Sequence, residues 1–217
     1  MCDFPKNEDN TVKRNPDRGH YDKPTIYSIL DEAMICHIGF IHQEKPVVIP
    51  TIFARKNDHL YIHGATTSRL LLELQKGVPI SLCVTHLDGL VLARSAFDHS
   101  MNYRSVVVYG KAFLVEDENE KIDALHCISE HLIKGRWDEV RPPSEKEMKA
   151  TTVLRIEIET ASAKIRSGPP SDNPEDYKLD VWAGILPASL NWGTPEADPK
   201  LKKGIEQPES VNAFYQK

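Results

Sequence analysis

Six segments with the period-two alternation of β-strands constrain the fold of this chain more than any other feature. They cover residues 34–42, 45–56, 59–63, 78–97, 103–117 and 152–166. Turn-like sequences separate the first three segments, and Asp88–Gly89 inside the fourth is a strong hairpin signal. Because short connections join neighbouring antiparallel strands, the pattern predicts an antiparallel meander.

Helical patterns occur between these strands. Helices are predicted over residues 25–33, 68–75 and 118–133. Ser144 and Glu147 have the spacing of a capping box, which predicts the start of a further short helix. Many short strands with few helices predict a mainly β, α+β chain in which a closed or nearly closed barrel carries peripheral helices.

The domain organisation follows from composition along the chain. Residues 1–24 form a polar, charged arm that we expect to be extended and partly disordered. Residues 25–190 form one domain, and residues 191–217 form a tail rich in proline and charged residues.

Charge and motif content exclude several classes of function. Of the 217 residues, 40% are hydrophobic and 27% are charged, and the net charge is −5. This balance argues against a nucleic-acid partner or an anionic membrane surface. The four cysteines lack metal-ligand or redox spacing, and no apolar run approaches membrane-spanning length, so a cytoplasmic protein is expected. Neither a P-loop nor a dinucleotide-binding glycine motif is present, and no metal site is expected.

The segment from Tyr61 to Leu74 is the strongest candidate for a binding site. A strand end is followed by Thr66, Thr67, Ser68 and Arg69, where a leucine-rich helix begins. Hydroxyls, a guanidinium and unpaired N–H groups at a helix start favour a phosphate group. The alternative is a hydroxyl N-cap with a solvated arginine.

Strand alternation assigns other polar residues to faces. Thr51 and Arg55 share one face of the second segment, and Ile52 lies on the other. In the fifth segment, Tyr103 and Ser105 face opposite to Arg104. Arg104 and Ser105 therefore cannot both contact one ligand through their side chains.

An ordered series of matches then resembles a known family. The segments PTIFAR, LYIHGATTSR and NYRSVVVYGKA resemble the flavin mononucleotide-binding split β-barrel superfamily, which includes pyridoxamine 5′-phosphate oxidase and the nitroimidazole-resistance proteins. The resemblance spans roughly residues 18–190. It implies an antiparallel six-stranded split β-barrel, a homodimer, and FMN bound at the subunit interface.

The resemblance also implies roles for individual residues. Thr67, Ser68 and Arg69 would hold the flavin phosphate, with Arg55 replacing a charge that is lost where Leu70 stands. The residues implied at the ring system are Thr51, Ile52, His63, Tyr103 and Ser105, with Trp182 as a cover. Arg104 or Lys164 is the candidate cation near the pyrimidine edge.

The implied activity is FMN-dependent redox chemistry on an unidentified small molecule, and His63 is the one candidate catalytic residue. The sequence after Trp182 lacks the Arg and His residues that hold pyridoxamine phosphate in the oxidase, so a different substrate is expected. Two alternatives stay open. One is a non-enzymatic flavin carrier or sensor, and the other is a haem-binding protein in which an accessible histidine such as His63 is needed.

Overall fold

The computed structural model describes residues 3–215, and within them one antiparallel sheet of nine strands is accompanied by five α-helices. The strands are β1 (Gly19–His20), β2 (Ile35–His42), β3 (Lys45–Ile52), β4 (Ala54–Lys56), β5 (His59–Ala65), β6 (Pro79–Leu92), β7 (Ser100–Leu114), β8 (Thr151–Arg166) and β9 (Gly184–Pro187). The helices are α1 (Lys23–Glu32), α2 (Arg69–Leu74), α3 (Glu118–Leu132), α4 (Glu145–Ala150) and α5 (Glu209–Tyr215). The mainly β, α+β fold class is confirmed.

The order of strands in the sheet is β3-β2-β6-β7-β8-β5-β4, with β1 paired to β8 and β9 paired to β6. The sheet has nine strands rather than the expected six because residues 45–56 divide into two strands and short strands form at 19–20 and 184–187. In the part of the chain that the structure describes, no helix is long and apolar enough to cross a membrane.

The described chain forms two compact units. The first contains residues 3–33, 81–109 and 159–190, and the second contains residues 34–80, 110–158 and 191–215.

In the first unit, the N-terminal arm is packed against other segments. Phe4 is buried, and its N–H donates to the carbonyl of Tyr21. The Asn10 amide is buried as well and donates to Thr160 Oγ1 at 2.5 Å and to the Ala161 carbonyl. The expectation of partial disorder is therefore wrong for these residues, because the arm contributes an apolar side chain and a satisfied polar one.

Asp88 and Gly89 also lie in the first unit, where the predicted hairpin is wrong. Both residues belong to the continuous strand β6, and Gly89 pairs with Pro187 of β9. A Cβ on Gly89 would lie 2.8 Å from the Leu186 carbonyl oxygen, so the glycine permits close approach of β9.

In the second unit, β2 and β3 form a hairpin whose two turn residues, Gln43 and Glu44, both have positive φ. This conformation matches the right-handed twist of the strands. Directly opposed residues point to the same face, so Thr51 shares the inner face with Cys36, and Ile52 shares the outer face with Ile35.

The strand pattern of residues 45–56 is interrupted at Phe53, which is fully buried between β3 and β4. Ala54 is fully buried too, so the simple alternation predicted through this segment fails at the break. Helix α3 packs near this point: Ala124 and Ile128 of α3 belong to the same core cluster as Ala54. Burial of both Phe53 and Ala54 in the core therefore replaces the regular alternation of side chains between the two faces of the strand.

The short helix α4 begins as predicted. The Ser144 side chain accepts from the Glu147 N–H, and the Glu147 carboxylate accepts from the Ser144 N–H, so the capping box is confirmed.

Candidate functional site

A groove of about 530 Å³ lies in the second unit. Its lining residues come from β5, from α3 and from the segment after α3: His63, Leu125, Ile128, Ser129, Leu132, Trp137, Arg141, Pro143, Glu147 and Thr151. Cofactor and ligand sites typically enclose roughly 300–1,000 Å³ and combine an apolar lining with a few polar groups. The groove has both properties.

Among the titratable side chains that line the groove, that of His63 is the best suited to bind a metal. It lies on β5 opposite Val153 of β8. Its Nδ1 atom is buried and has no hydrogen-bond partner among the described residues. Burial lowers the pKa of His63, so the imidazole is neutral at pH 7. A neutral imidazole that lines a groove can bind a metal or a hydrogen-bonding ligand.

Two carboxylates fix the turn that carries Trp137 through hydrogen bonds. Glu130 of α3 accepts from the N–H groups of Gly135 at 2.7 Å and Trp137 at 3.2 Å, and these bonds, with Gly135 the larger cause, lower the Glu130 pKa. Glu139 accepts from the N–H of Ser210 at 3.0 Å and from its hydroxyl. Helix α5 therefore braces the turn that carries Trp137.

The rim of the groove contains an ion pair between Arg141 and Glu147. Arg141 Nη1 donates to Glu147 Oε2 at 2.8 Å, and Nη2 donates to Oε1 at 2.6 Å. Ser144 donates to the same carboxylate from its N–H at 2.7 Å and from its hydroxyl at 2.9 Å. Arg141, followed by Ser144, holds the pKa of Glu147 far below its usual range.

The predicted phosphate loop offers fewer free N–H groups than expected. The Thr66 N–H donates to the Ala150 carbonyl and the Ser68 N–H to the Ala65 carbonyl. Helix α2 has only six residues, and the Ser68 side chain makes no capping bond, so the hydroxyl N-cap alternative is not observed. Arg69 is exposed and pairs with no acidic side chain in residues 3–215.

Other predicted contacts in the second unit lie on β3 and β4. The Thr51 carbonyl accepts from Cys36 Sγ at 3.6 Å, and Ile52 is exposed on the outer face. Arg55 Nη1 donates to the Asn57 carbonyl at 2.7 Å.

Arg104, in the first unit, is already committed to two carboxylates. Its Nε and Nη2 donate to Asp88 at 2.9 to 3.2 Å, and its Nη2 donates to Glu32 at 2.9 Å while Nη1 bonds the same carboxylate. Both bidentate edges of the guanidinium are occupied. This arrangement favours a structural role for Arg104.

The remaining predicted residues belong to the first unit as well. The Ser105 hydroxyl donates to the Lys164 carbonyl at 3.3 Å, and Tyr103 is partly buried. The side chain of Trp182 is 69% exposed and lies over Gly184. The structure thus brings Thr51, Ile52, Arg55, His63, Thr67, Ser68 and Arg69 into one unit, and Tyr103, Arg104, Ser105 and Trp182 into the other.

Three residues that line the groove with His63 were not predicted from the sequence. Trp137, Arg141 and Glu147 follow α3, and none of them was assigned to a site. An available signal was an aromatic residue and an arginine close behind an amphipathic helix, next to a capping-box glutamate.

Three carboxylates also approach one another in the first unit. Those of Asp98, Asp172 and Asp176 lie within 4.8 Å of one another. Arg94 pairs with Asp172 at 3.0 Å, which offsets part of this negative charge.

Similarity to known proteins extends over most of the chain. A family model described as pyridoxamine 5′-phosphate oxidase matches residues 22–165. A flavocytochrome from Azotobacter vinelandii is 40% identical, with 93% of this chain and 94% of that chain covered and a TM-score of 0.88. An FAD and haem binding protein from Mycobacterium smegmatis is 32% identical, with 90% and 96% covered and a TM-score of 0.87. A comparison with curated proteins found no match.

Proposed function

The chain belongs to the pyridoxamine 5′-phosphate oxidase family, and we propose that it is a flavin-binding redox protein. The observation that carries this proposal is similarity over nine-tenths of the chain to two proteins described as a flavocytochrome and as an FAD and haem binding protein. FMN is the flavin that the family resemblance implies. FAD contains the same riboflavin phosphate, so the proposed anchor serves either cofactor.

The proposed phosphate anchor consists of Thr67, Ser68, Arg69 and Arg55. Arg69 supports it best because its guanidinium is exposed and unpaired among the described residues. A charged guanidinium binds phosphate through charge-assisted hydrogen bonds. With α2 only six residues long, the side chains rather than a helix dipole would supply the binding free energy.

The proposed ring contacts in the second unit are the backbone groups of Thr51 and Ile52, because their side chains point to opposite faces of β3. In the first unit, the residues that the resemblance implies at a flavin ring are Tyr103, Ser105 and Trp182. We leave Arg104 out because Glu32 and Asp88 occupy both edges of its guanidinium. The flavin would supply electron transfer when bound, and these residues would orient its ring. Pyridoxamine phosphate is not the proposed substrate, since the residues after Trp182 include no arginine or histidine up to Trp192.

The experiment is a visible spectrum of protein purified without added cofactor, followed by heat release and chromatography of the flavin. A yellow protein releasing FMN or FAD supports the proposal. A colourless protein that binds neither flavin in a titration contradicts it. Steady-state turnover with reduced nicotinamide and an electron acceptor then separates an oxidoreductase from a flavin carrier, which shows none.

Haem binding is a second candidate function, favoured by the groove around His63. The position of His63 in the groove lining and its depressed pKa fit an imidazole that ligates iron. Leu125, Ile128 and Leu132 of α3 supply apolar surface for a porphyrin. We therefore assign His63 to this groove rather than to the flavin.

Titration with haemin tests this assignment. A Soret shift is expected for the wild type and for His37→Ala, because His37 is exposed on β2. The shift is expected to be lost in His63→Ala. An unchanged spectrum in His63→Ala would contradict iron ligation by this residue.

A homodimer is proposed on the exposed apolar face of the β2–β3 hairpin. Ile35, Ile41, Val48 and Ile52 share this face, and Val48 is 65% exposed. Contiguous exposed apolar surface of this kind marks interaction sites.

A further inference from the structure

We propose that Arg141 binds a carboxylate of the molecule held in the groove, so that the groove selects flat apolar ligands that carry an acid group. This inference rests on the proposed haem function, because the propionates of haem are such groups. Arg141 would select the ligand through its acid group, whereas His63 would bind the metal.

The hydrogen bonds of Arg141 leave one edge of its guanidinium open. A guanidinium has five N–H donors, which form two bidentate edges. The edge formed by Nη1 and Nη2 donates to Glu147, and Nη1 also donates to the Pro142 carbonyl at 3.0 Å. Within residues 3–215, the Nε–H and the second Nη2–H of Arg141 have no hydrogen-bond partner. These two parallel donors match the two oxygens of a carboxylate.

Arg104 differs from Arg141 because carboxylates occupy both edges of its guanidinium. Asp88 occupies the Nε edge of Arg104 and Glu32 occupies its other edge, so Arg104 has no room for a ligand. Arg141 has one carboxylate partner and lines the groove. Only the second arrangement leaves a charged donor pair for an incoming acid.

Glu147 orients Arg141 without cancelling its ability to bind. The Glu147 carboxylate also accepts from the N–H and the hydroxyl of Ser144. These hydrogen bonds offset part of its negative charge. The pair holds the guanidinium in one orientation before a ligand arrives, which reduces the entropy lost on binding. Glu147 is the one acidic side chain among the described residues that line the groove.

The rest of the lining completes the selection. Leu125, Ile128, Leu132 and Trp137 offer apolar and aromatic surface on the walls. A ligand with an apolar ring system and a peripheral carboxylate satisfies both the walls and the rim. A neutral ligand of the same shape leaves the Arg141 edge without a partner.

The experiment compares the affinity of two porphyrin pairs. Haemin and haemin dimethyl ester are titrated by Soret absorbance, and protoporphyrin IX and its dimethyl ester by fluorescence, the second pair needing no iron ligation. The proteins are the wild type, Arg141→Ala, Arg141→Lys and, as a control, Lys178→Ala. Lys178 is also an exposed cation with a glutamate partner, Glu175, and it does not line the groove.

Arg141→Ala is expected to weaken binding of both free acids about tenfold, the effect of one charge-assisted hydrogen bond. Arg141→Lys is expected to weaken binding by less, and Lys178→Ala to leave it unchanged. Both esters should bind wild type and Arg141→Ala equally. Equal loss for acids and esters would mean a structural effect and overturn the proposal, as would unchanged acid affinity.

The outcomes separate this inference from haem binding. Discrimination by Arg141 between protoporphyrin IX and its ester, without a Soret shift for haemin, supports the acid site and removes the haem function. If neither free acid binds the wild type, the acid site and the haem function are both overturned.

Discussion

Gly89 lies so close to Leu186 that a side chain on Gly89 would meet the Leu186 carbonyl oxygen at 2.8 Å. The two residues belong to paired strands of the first unit, and the contact involves backbone, which cannot rotate away. Gly89→Ala should therefore displace β9 and lower the free energy of unfolding by about 1–3 kcal/mol. Urea denaturation measures this change.

Gly193→Ala is the control for that prediction, because no atom lies within 4 Å of a Cβ built at Gly193. Its stability should equal that of the wild type. Equal stability of the Gly89 variant would mean that β9 does not need the close approach.

Arg69→Ala should weaken flavin retention at least tenfold, or about 1.4 kcal/mol, since one charge-assisted phosphate contact is removed. Lys76→Ala removes a charge that already pairs with Glu73 and serves as the control. Dialysis followed by absorbance of the retained flavin measures the effect. Equal retention in both variants would refute the phosphate assignment.

Arg104→Gln should reduce stability by about 1 kcal/mol, a small value because Glu32 is half exposed. Arg104 is the first cause of the lowered pKa of Glu32, whose ordinary pKa is 4.5. A lowered carboxyl pKa stabilises the folded state above the ordinary value and loses this effect as pH falls through the folded-state pKa.

The stability difference between Arg104→Gln and the wild type should thus be full at pH 7 and shrink below pH 4.5 in urea denaturation. Flavin retention should not change. Loss of flavin from this variant would return Arg104 to the cofactor site.

His63 should make the ligand-free protein less stable at acid pH. Burial lowers its folded-state pKa below the ordinary 6.5, so below pH 6.5 the unfolded chain binds a proton that the folded chain does not. The free energy of unfolding therefore falls as pH decreases from 7.5 to 5. His63→Leu should show a shallower decrease. An identical slope for His63→Leu and the wild type would contradict the burial effect.

Val48→Lys should convert the proposed dimer to a monomer, because it places a charge in the exposed apolar face of β2 and β3. Light scattering after size-exclusion chromatography measures the mass. Phe97→Lys is the control, since Phe97 is 91% exposed and lies outside this face. A wild type that is already monomeric would contradict the dimer.

The fold was predictable where local chemistry determines it. The capping box at Ser144, the turn between β2 and β3 and helix α1 each depend on residues close in sequence. The errors arose from distant contacts. Asp88–Gly89 has the sequence of a turn, but β9, almost a hundred residues later, uses the glycine for strand pairing.

The candidate site was predicted less completely, for the same reason. His63 was identifiable because the family resemblance selected it. The orphaned state of its Nδ1 and the open edge of Arg141 depend on how β5, α3 and the following segment pack. No local pattern in the sequence encodes which edge of an arginine is left unpaired.

The hydrogen bonds between Ser210 and Glu139 divide the C-terminal segment into a part that supports the groove and a part that does not. The ring centroids of Trp192 and Phe214 lie 5.3 Å apart, so the two ends of the segment are close together. Most residues between them are exposed. The intervening stretch acts as a spacer whose length and composition can drift, since lengthening a loop costs little free energy. Homologues with insertions there can keep an intact groove, provided that a serine still reaches the glutamate.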